Sequence, residues 1–395
     1  MHYADGMLLW LLACTSDPPT PAETSPLEPV RIGPAEGLEV VPWGEGAAIG
    51  FVVDDGTSRV AQVARLDPDG TLSAPVDLPA EDPVSGLARK PQLAADGTRF
   101  LAVWSTGDPR ESTVVLADAP SPDGPFTTTL IATGAPDAGV TFVDQPDVHL
   151  SPTGEAWVGF KAEVDHPTVE LRIAREASSW VPTPVSPSGG EPCECCPHVL
   201  RFFPDGDAWL LLRGNEANIR EIHEARLAVS DPPQPAADLS LGHTTQVSHT
   251  GWWVQGCPFD GPSGVALDDQ RRVVSWVDPT SGSSRAWVAH SVDDGRTWSD
   301  ARPVFGDDAR LDQQPGFVAL PDGRLALAVD DHWTGTSVVV GPAEAWLGDG
   351  SLVDHPDTEV LTTTEPLWDA VIAPFGDGVL LVGVDEEGVA WAEVL

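Results

Sequence analysis

The chemistry-bearing side chains of this sequence are densest in the six-residue run CECCPH that begins at Cys193. It places three thiols and the imidazole of His198 side by side, and Cys257 follows later in the chain. Four cysteines in an oxidising compartment favour two disulfides, for which three pairings exist. The alternative is a zinc or copper site, because thiolate and imidazole are ligands that these metals accept. The cysteines concerned are Cys193, Cys195, Cys196 and Cys257.

A second polar cluster comprises residues 213–221 and a later pair of tryptophans. Two arginines and two asparagines offer planar donors to a carboxylate or a sugar, and an indole stacks on a sugar face. The alternatives are a loop held by internal salt bridges and tryptophans that pack between sheets, as most of the 15 in this chain must. The candidates are Arg213, Asn215, Asn218, Arg220, Glu221, Trp252 and Trp253.

The elements that must position these residues belong to a repeat of about 50 residues. Each unit has an apolar strand, a turn of the Asp-Gly type and a second apolar strand, as in Pro91–Trp104 and Pro315–Leu327. The turns need glycine for a positive φ and aspartate to bond the amides that follow. Seven such units occur, the first near Leu38.

This spacing predicts an all-β propeller with seven four-stranded blades. Six blades is the alternative, whereas a β-sandwich does not predict so regular a repeat. The last unit has three strands before Leu395, so we expect a strand near Val30–Gly33 to complete it and close the ring.

A ligand of a propeller binds where loops of several blades meet at one mouth of the central channel. The residues that lead into the innermost strands are therefore additional binding candidates. They include Lys90, Gln145, His198, Asp260 and Gln314.

Residues Ser291–Trp298 match the pattern S-x-D-x-G-x-T-W at every defining position. They resemble the Asp-box of the sialidase-like propellers, also called BNR repeats. The CxCC-P segment, the arginine-asparagine loop and the GCP element at Gly256 resemble a group of bacterial sialidase-like lipoproteins. The resemblance implies a structural turn, away from the ligand, for Ser291, Asp293, Gly295, Thr297 and Trp298.

Sialidase catalysis is disfavoured by the sequence. In sialidases a tyrosine is the nucleophile, and the single tyrosine of this chain is Tyr3. We therefore expect a binding protein for a glycan or a protein. One alternative is a sialidase-like glycoside hydrolase that uses carboxylates at the channel mouth, and another is a metal or redox site at the cysteines.

The amino-terminal residues resemble the signal of a bacterial lipoprotein. Leu11-Leu12-Ala13-Cys14 is similar to a lipobox, and residues 15–29 have the composition of an extended Pro-rich tether. We expect residues 1–14 to be a signal peptide with lipidation of Cys14, and residues 30–395 to be the single propeller domain. The alternative is a buried amino-terminal helix.

The charge and the apolar runs restrict the partners. With 21 basic and 61 acidic residues the formal charge is -40, which repels nucleic acid. No later run approaches the ~20 apolar residues of a membrane span, so a lipid would be the only membrane attachment. We expect a monomer without a cofactor, located in the bacterial cell envelope and facing the periplasm or the surface.

Overall fold

The computed structural model describes residues 27–54, 56–79, 90–107, 112–135, 139–164, 168–185, 191–229, 240–256, 258, 260–280, 284–305, 314–331 and 334–395. Cys14 and Cys257 therefore lie outside the described residues, as does the proposed signal peptide. In the described part of the chain, no helix is both long and apolar enough to cross a membrane.

The described strands follow one another as seven antiparallel sheets, here called blades one to seven. The chain begins with β1 (Val30–Pro34), and blade one follows with β2 (Glu36–Trp43), β3 (Gly46–Asp54), β4 (Arg59–Leu66) and β5 (Val76–Asp77). Blade two comprises β6 (Gln92–Ala95), β7 (Phe100–Thr106), β8 (Thr113–Ala119) and β9 (Thr127–Thr133). Blade three comprises β10 (Val140–Leu150), β11 (Ala156–Val164), β12 (Val169–Arg175) and β13 (Thr183–Val185).

Blade four comprises β14 (Glu191–Pro192), β15 (Val199–Phe202), β16 (Ala208–Asn215), β17 (Ile222–Ala228) and β18 (Ser240–Gln246). Blade five comprises β19 (Ser263–Ala266), β20 (Arg272–Asp278), β21 (Arg285–Ser291) and β22 (Arg302–Pro303). Blade six comprises β23 (Gly316–Ala319), β24 (Arg324–Asp331), β25 (Gly335–Pro342) and β26 (Glu359–Thr362). Blade seven comprises β27 (Trp368–Phe375), β28 (Gly378–Val384) and β29 (Val389–Val394). A 3-10 turn at Glu176–Ser178 and the helix α1 at Ala343–Trp346 are the helical elements of the described residues.

The ring closes through the two ends of the described chain. Strand β1 pairs antiparallel with β29, so blade seven has the order β1-β29-β28-β27. The innermost strands contact their neighbours around the whole circle, and the circle returns from β27 to β2. The predicted seven-bladed propeller, closed by the amino-terminal strand, is confirmed.

The apolar strands pack between blades because each inner sheet is covered on both faces. Trp276 of blade five packs with Leu211 of blade four, and Val265 of blade five packs with Leu327 of blade six. Trp157, Trp209 and Trp276 are fully buried. Most of the hydrophobic stabilisation therefore lies between successive blades.

The alternating strand directions give the ring two faces. The upper face carries the loops between the second and third strands of each blade and the connections into the innermost strands. The lower face carries the hairpins between the first and second strands. Near the upper face, the innermost strands of blades one, three and seven shift register, next to Gly37, Gln145 and Asp369, all with positive φ.

Blade four departs further from regularity at the upper face. Both β14 and β15 pair with β16, one after the other, so the innermost strand is split. The interruption is the CxCC-P segment, residues 193–198. The fold thus places the cysteines at the rim of the channel.

Candidate functional site

Two loops of blade four join on the upper face to form what we call the platform, residues 213–221 and 248–256. The first loop connects β16 to β17 and turns through Ala217 and Asn218, with φ of 52° and 68°. The Arg220 amide donates to Trp252 O at 2.8 Å, and the Val254 amide donates to Asn218 O at 3.0 Å. Ile219 and Trp253 form an isolated bridge. The two loops therefore form one hydrogen-bonded unit.

Arg213 holds the platform to blade five. Its guanidinium is fully buried and donates to three backbone carbonyls, with N–O distances of 2.8 to 2.9 Å. These carbonyls belong to Asp260, Arg220 and Val277. The guanidinium carbon lies 4.9 Å from the centroid of the Trp252 ring. Three N–H groups of Arg213 are thus used inside the protein, and its side chain is not exposed to solvent.

Glu221 and Arg220 anchor the second loop. The Glu221 carboxylate accepts bonds from the amides of Gly251 at 2.5 Å and Thr250 at 3.2 Å, and from the Ser248 hydroxyl. Arg220 is buried, and its Nη2 donates to Gly256 O at 2.9 Å. Its Nη1 lies 3.8 Å from the Glu194 carboxylate. These charged groups stabilise the loop from below.

The exposed side chains of the platform are both apolar and polar. Trp253 is 59% exposed and its bridge partner Ile219 is 39% exposed. Asn215 is partly exposed and donates to Glu194 at 3.3 Å. The platform therefore presents an indole surface to solvent on a rigid support, with hydrogen-bonding groups beside it.

The cysteine segment lies beside the platform. Cys193 and Cys196 are buried and free, with their Sγ atoms 2.8 Å apart, whereas Cys195 is disulfide-bonded and partly exposed. A hydrogen bond from Cys196, with help from Lys161, lowers the pKa of Cys193 to about 6. Burial raises the pKa of Cys196. The three sulfur atoms lie within 4.8 Å of one another, but a disulfide-bonded Cys195 has no thiolate to offer a metal.

Lys161 organises this segment and was not identified from the sequence. Its buried ammonium group donates to Gln145 Oε1 at 3.0 Å, to Cys193 O at 2.5 Å and to Cys196 O. Burial lowers its pKa to about 8. Lys161 is one of two lysines in the chain and lies within an apolar strand, which was the available signal.

Most channel-mouth candidates tie one blade to the next. Gln145 donates to Cys195 O at 2.5 Å, and Gln314 donates to Pro262 O at 2.8 Å. Asp147, which was not among the candidates, also joins two blades, because it accepts a bond from the Leu200 amide at 2.7 Å. The carbonyl of Asp260 receives Arg213. These groups fix the relative positions of the innermost strands.

Asp330 makes the corresponding tie between blades six and seven. It accepts bonds from Thr336 Oγ1 at 2.5 Å and from the Ala370 amide at 3.3 Å. Burial, with a smaller effect of Asp369, raises the pKa of Asp330 to about 6. Burial also raises the pKa of Asp369, which Lys90 opposes.

Two remaining mouth candidates have separate roles. Lys90 forms an ion pair with Glu39 of blade one at 3.2 Å. His198 is buried against Gly159, and burial lowers its pKa to about 3, so the ring is neutral.

The Asp-box lies on the lower face, after β21. The Gly295 amide donates to Ser291 Oγ at 2.9 Å, and Thr297 donates to the Asp293 carboxylate through its amide at 2.9 Å and its hydroxyl at 2.7 Å. Trp298 packs against the core between blades four and five. These bonds hold a tight turn on the face opposite the platform.

No protein-family model and no curated protein matches this chain. Solved structures resemble it at low identity. The propeller domain of the Trilobed protease from Pyrococcus furiosus is 9% identical over 91% of this chain and 93% of that chain, with a TM-score of 0.49. An endo-arabinase from Bacteroides thetaiotaomicron is 16% identical over 83% of this chain and 100% of that chain, with a TM-score of 0.44. A Hadza microbial sialidase is 13% identical over 75% of this chain and 63% of that chain, with a TM-score of 0.46. At these values the similarities carry no inference about activity.

Proposed function

We propose that this protein is a binding protein that recognises a neutral glycan through the platform of blade four, without sialidase catalysis. The observation that carries the proposal is Trp253, a 59% exposed indole on a loop pair held by Arg213 and Glu221. Aromatic side chains contribute large contact areas at little entropic cost when their support is rigid. A sugar ring stacked on Trp253 would meet the polar groups of Asn215 and Glu194 at its edge.

The charge of the chain favours a neutral ligand over an acidic one. The formal charge is -40, and Glu194 at the platform edge has a 51% exposed side chain. An anionic sugar would approach against this field. The arginines that would neutralise such a sugar are buried, and Arg213 donates to backbone carbonyls only.

Two further facts support the proposed absence of catalysis. The only tyrosine of the chain is Tyr3, so the folded ring has no tyrosine nucleophile. Two of the described mouth carboxylates, those of Asp147 and Asp330, accept backbone N–H bonds from the next blade. A glycoside hydrolase would need a pair of carboxylates free to face the bond that is cleaved.

The test is binding of the purified full chain to an array of neutral and sialylated oligosaccharides. We expect neutral glycans to bind, and Trp253→Ala to weaken binding at least about ten-fold, which corresponds to about 1.4 kcal/mol. Leu130→Ala is the matched control, because Leu130 is 50% exposed and lies in blade two, in the outer strand β9. It should leave binding unchanged.

Two results would overturn the proposal. One is binding that survives Trp253→Ala at the wild-type affinity. The other is release of free sugar from aryl glycosides or sialyllactose by the wild-type chain.

The proposed cellular place is the bacterial envelope, with the ring tethered by a lipid on Cys14. The support is the lipobox-like LLAC sequence and the Pro-rich residues after it. Growth of an expressing bacterium with labelled palmitate should label the wild-type chain and not Cys14→Ser. Labelling of both proteins, or of neither, contradicts the anchor.

A further inference from the structure

In the cysteine segment, the sulfur of Cys193 has two sulfur neighbours that differ in oxidation state. Cys193 Sγ lies 2.8 Å from the free thiol of Cys196 and 3.8 Å from Cys195 Sγ, which belongs to a disulfide. Cys193 is thus between a thiol and a disulfide, in contact with both. A thiolate that approaches a disulfide sulfur in this way is the starting arrangement of thiol–disulfide exchange.

The exposure of the three residues differs in a way that matters for this chemistry. Cys193 and Cys196 have no exposed surface, so a dissolved oxidant or thiol does not reach them in the folded protein. Cys195 is partly exposed. Lys161 holds the backbone on either side through Cys193 O and Cys196 O, which keeps the sulfurs together.

We propose that Cys193, Cys195 and Cys196 form a thiol–disulfide exchange relay through which a buried dithiol communicates with solvent. The relay is independent of glycan binding. Its substrates would be external thiols and disulfides that react at Cys195.

The relay needs no added oxidant because it redistributes one disulfide. In the first step, the Cys193 thiolate attacks Cys195 Sγ. The bond between Cys195 and its partner sulfur breaks, the Cys193–Cys195 bond forms, and the partner leaves as a thiolate that takes up a proton. In the second step, Cys196 loses its proton and attacks Cys193 Sγ. The Cys193–Cys196 disulfide forms and Cys195 leaves as a thiol, so two thiols and one disulfide are conserved.

The test is site-specific alkylation of the native full chain, purified under argon without reductant. Iodoacetamide is added, and fragmentation of the peptide that contains residues 193–196 locates each label. We expect label on Cys195, which only exchange can release as a thiol. Label on Cys195 should fall about ten-fold or more in Cys193→Ser, because this variant lacks the attacking sulfur.

Cys196→Ser is the matched variant that stops the relay after its first step. Here Cys195 remains bonded to Cys193, so we expect the label on Cys195 to be lost while the label on its former partner is kept. Unfolding midpoints of both variants check that the ring is intact, and the wild-type result stands without either variant.

Three outcomes would overturn the relay. The first is a wild-type chain in which Cys195 stays unlabelled while the thiols of Cys193 and Cys196 persist. The second is a chain with no free thiol, which indicates two permanent disulfides. The third is Cys195 labelling that is unchanged in Cys193→Ser.

Discussion

The contact between blades four and five contains two arginines at its upper end and two at its lower end, and the two pairs bond to different kinds of group. Below, Arg226 pairs with Asp205, Asp207 and Asp294, while Arg272 pairs with Glu224 at 3.2 Å and Asp294 at 2.5 Å. Above, Arg213 bonds three backbone carbonyls, and Arg220 bonds one carbonyl and has a 3.8 Å ion pair.

This difference separates support of the fold from support of a loop. The lower arginines pair with carboxylates, and their guanidinium carbons lie 4.3 to 4.6 Å from the centroid of the Phe203 ring. The upper arginines fix the course of the main chain, whatever side chains the loop displays. A recognition surface needs the second arrangement, because its exposed residues are then free to serve a ligand.

The largest expected effect is on the lower pair. Arg272→Ala removes a guanidinium that lies 3.2 Å from the buried Glu224 carboxylate, so we expect the free energy of unfolding to fall by about 3–5 kcal/mol. Urea denaturation measures it. Arg296→Ala is the control, since Arg296 is 69% exposed and 3.8 Å from Asp294, and it should cost less than about 0.5 kcal/mol. Equal losses in the two variants would contradict the distinction.

The second-largest effect is expected at the upper pair of arginines. Arg213→Met keeps an extended apolar side chain but removes the donors to three carbonyls, so we expect a loss of about 3 kcal/mol. The loss should be local. Relative to the wild type, hydrogen exchange should accelerate more at the amides of Arg220 and Val254, which join the two platform loops, than at the amides of blade one. Uniform acceleration in every blade would show that Arg213 supports the whole ring instead.

A pH-dependent effect follows from Asp330. Its pKa of about 6 in the folded protein, against an ordinary 3.8, means that the native state binds the proton more tightly. Its contribution to stability is therefore complete below about pH 4 and is lost as the pH rises through 6. The free energy of unfolding of Asp330→Asn, relative to that of the wild type, should rise by on the order of 2 kcal/mol between pH 4 and 7. A parallel pH profile for both proteins would contradict this, and exposed Asp377→Asn is the control.

The smallest effect on stability is expected at Trp253. Because this indole is largely exposed, Trp253→Ala should change the free energy of unfolding by less than about 0.5 kcal/mol. A loss above about 2 kcal/mol would assign Trp253 to the fold and remove it from the proposed binding surface.

The ring of blades could be predicted because each hairpin is specified by residues that are close together in the sequence. A turn such as Asp96-Gly97 fixes a hairpin within a few residues, and the three strands of the last unit implied a returning strand, now seen as β1. The platform residues were singled out from the sequence as binding candidates, which stays a prediction, whereas their internal bonding was not predicted. The carbonyls that receive Arg213 belong to residues 220, 260 and 277, and their meeting depends on how blade five packs on blade four. No short pattern encodes such a contact.

The pairing of β1 with β29 also sets the order in which the protein can be completed. Residues 30–34 are made long before their hydrogen-bonding partners at residues 389–392. The ring therefore cannot be sealed before β29 has been produced, and until then β1 lacks its partner strand. A chain that must pass through a membrane before folding would gain from this delay.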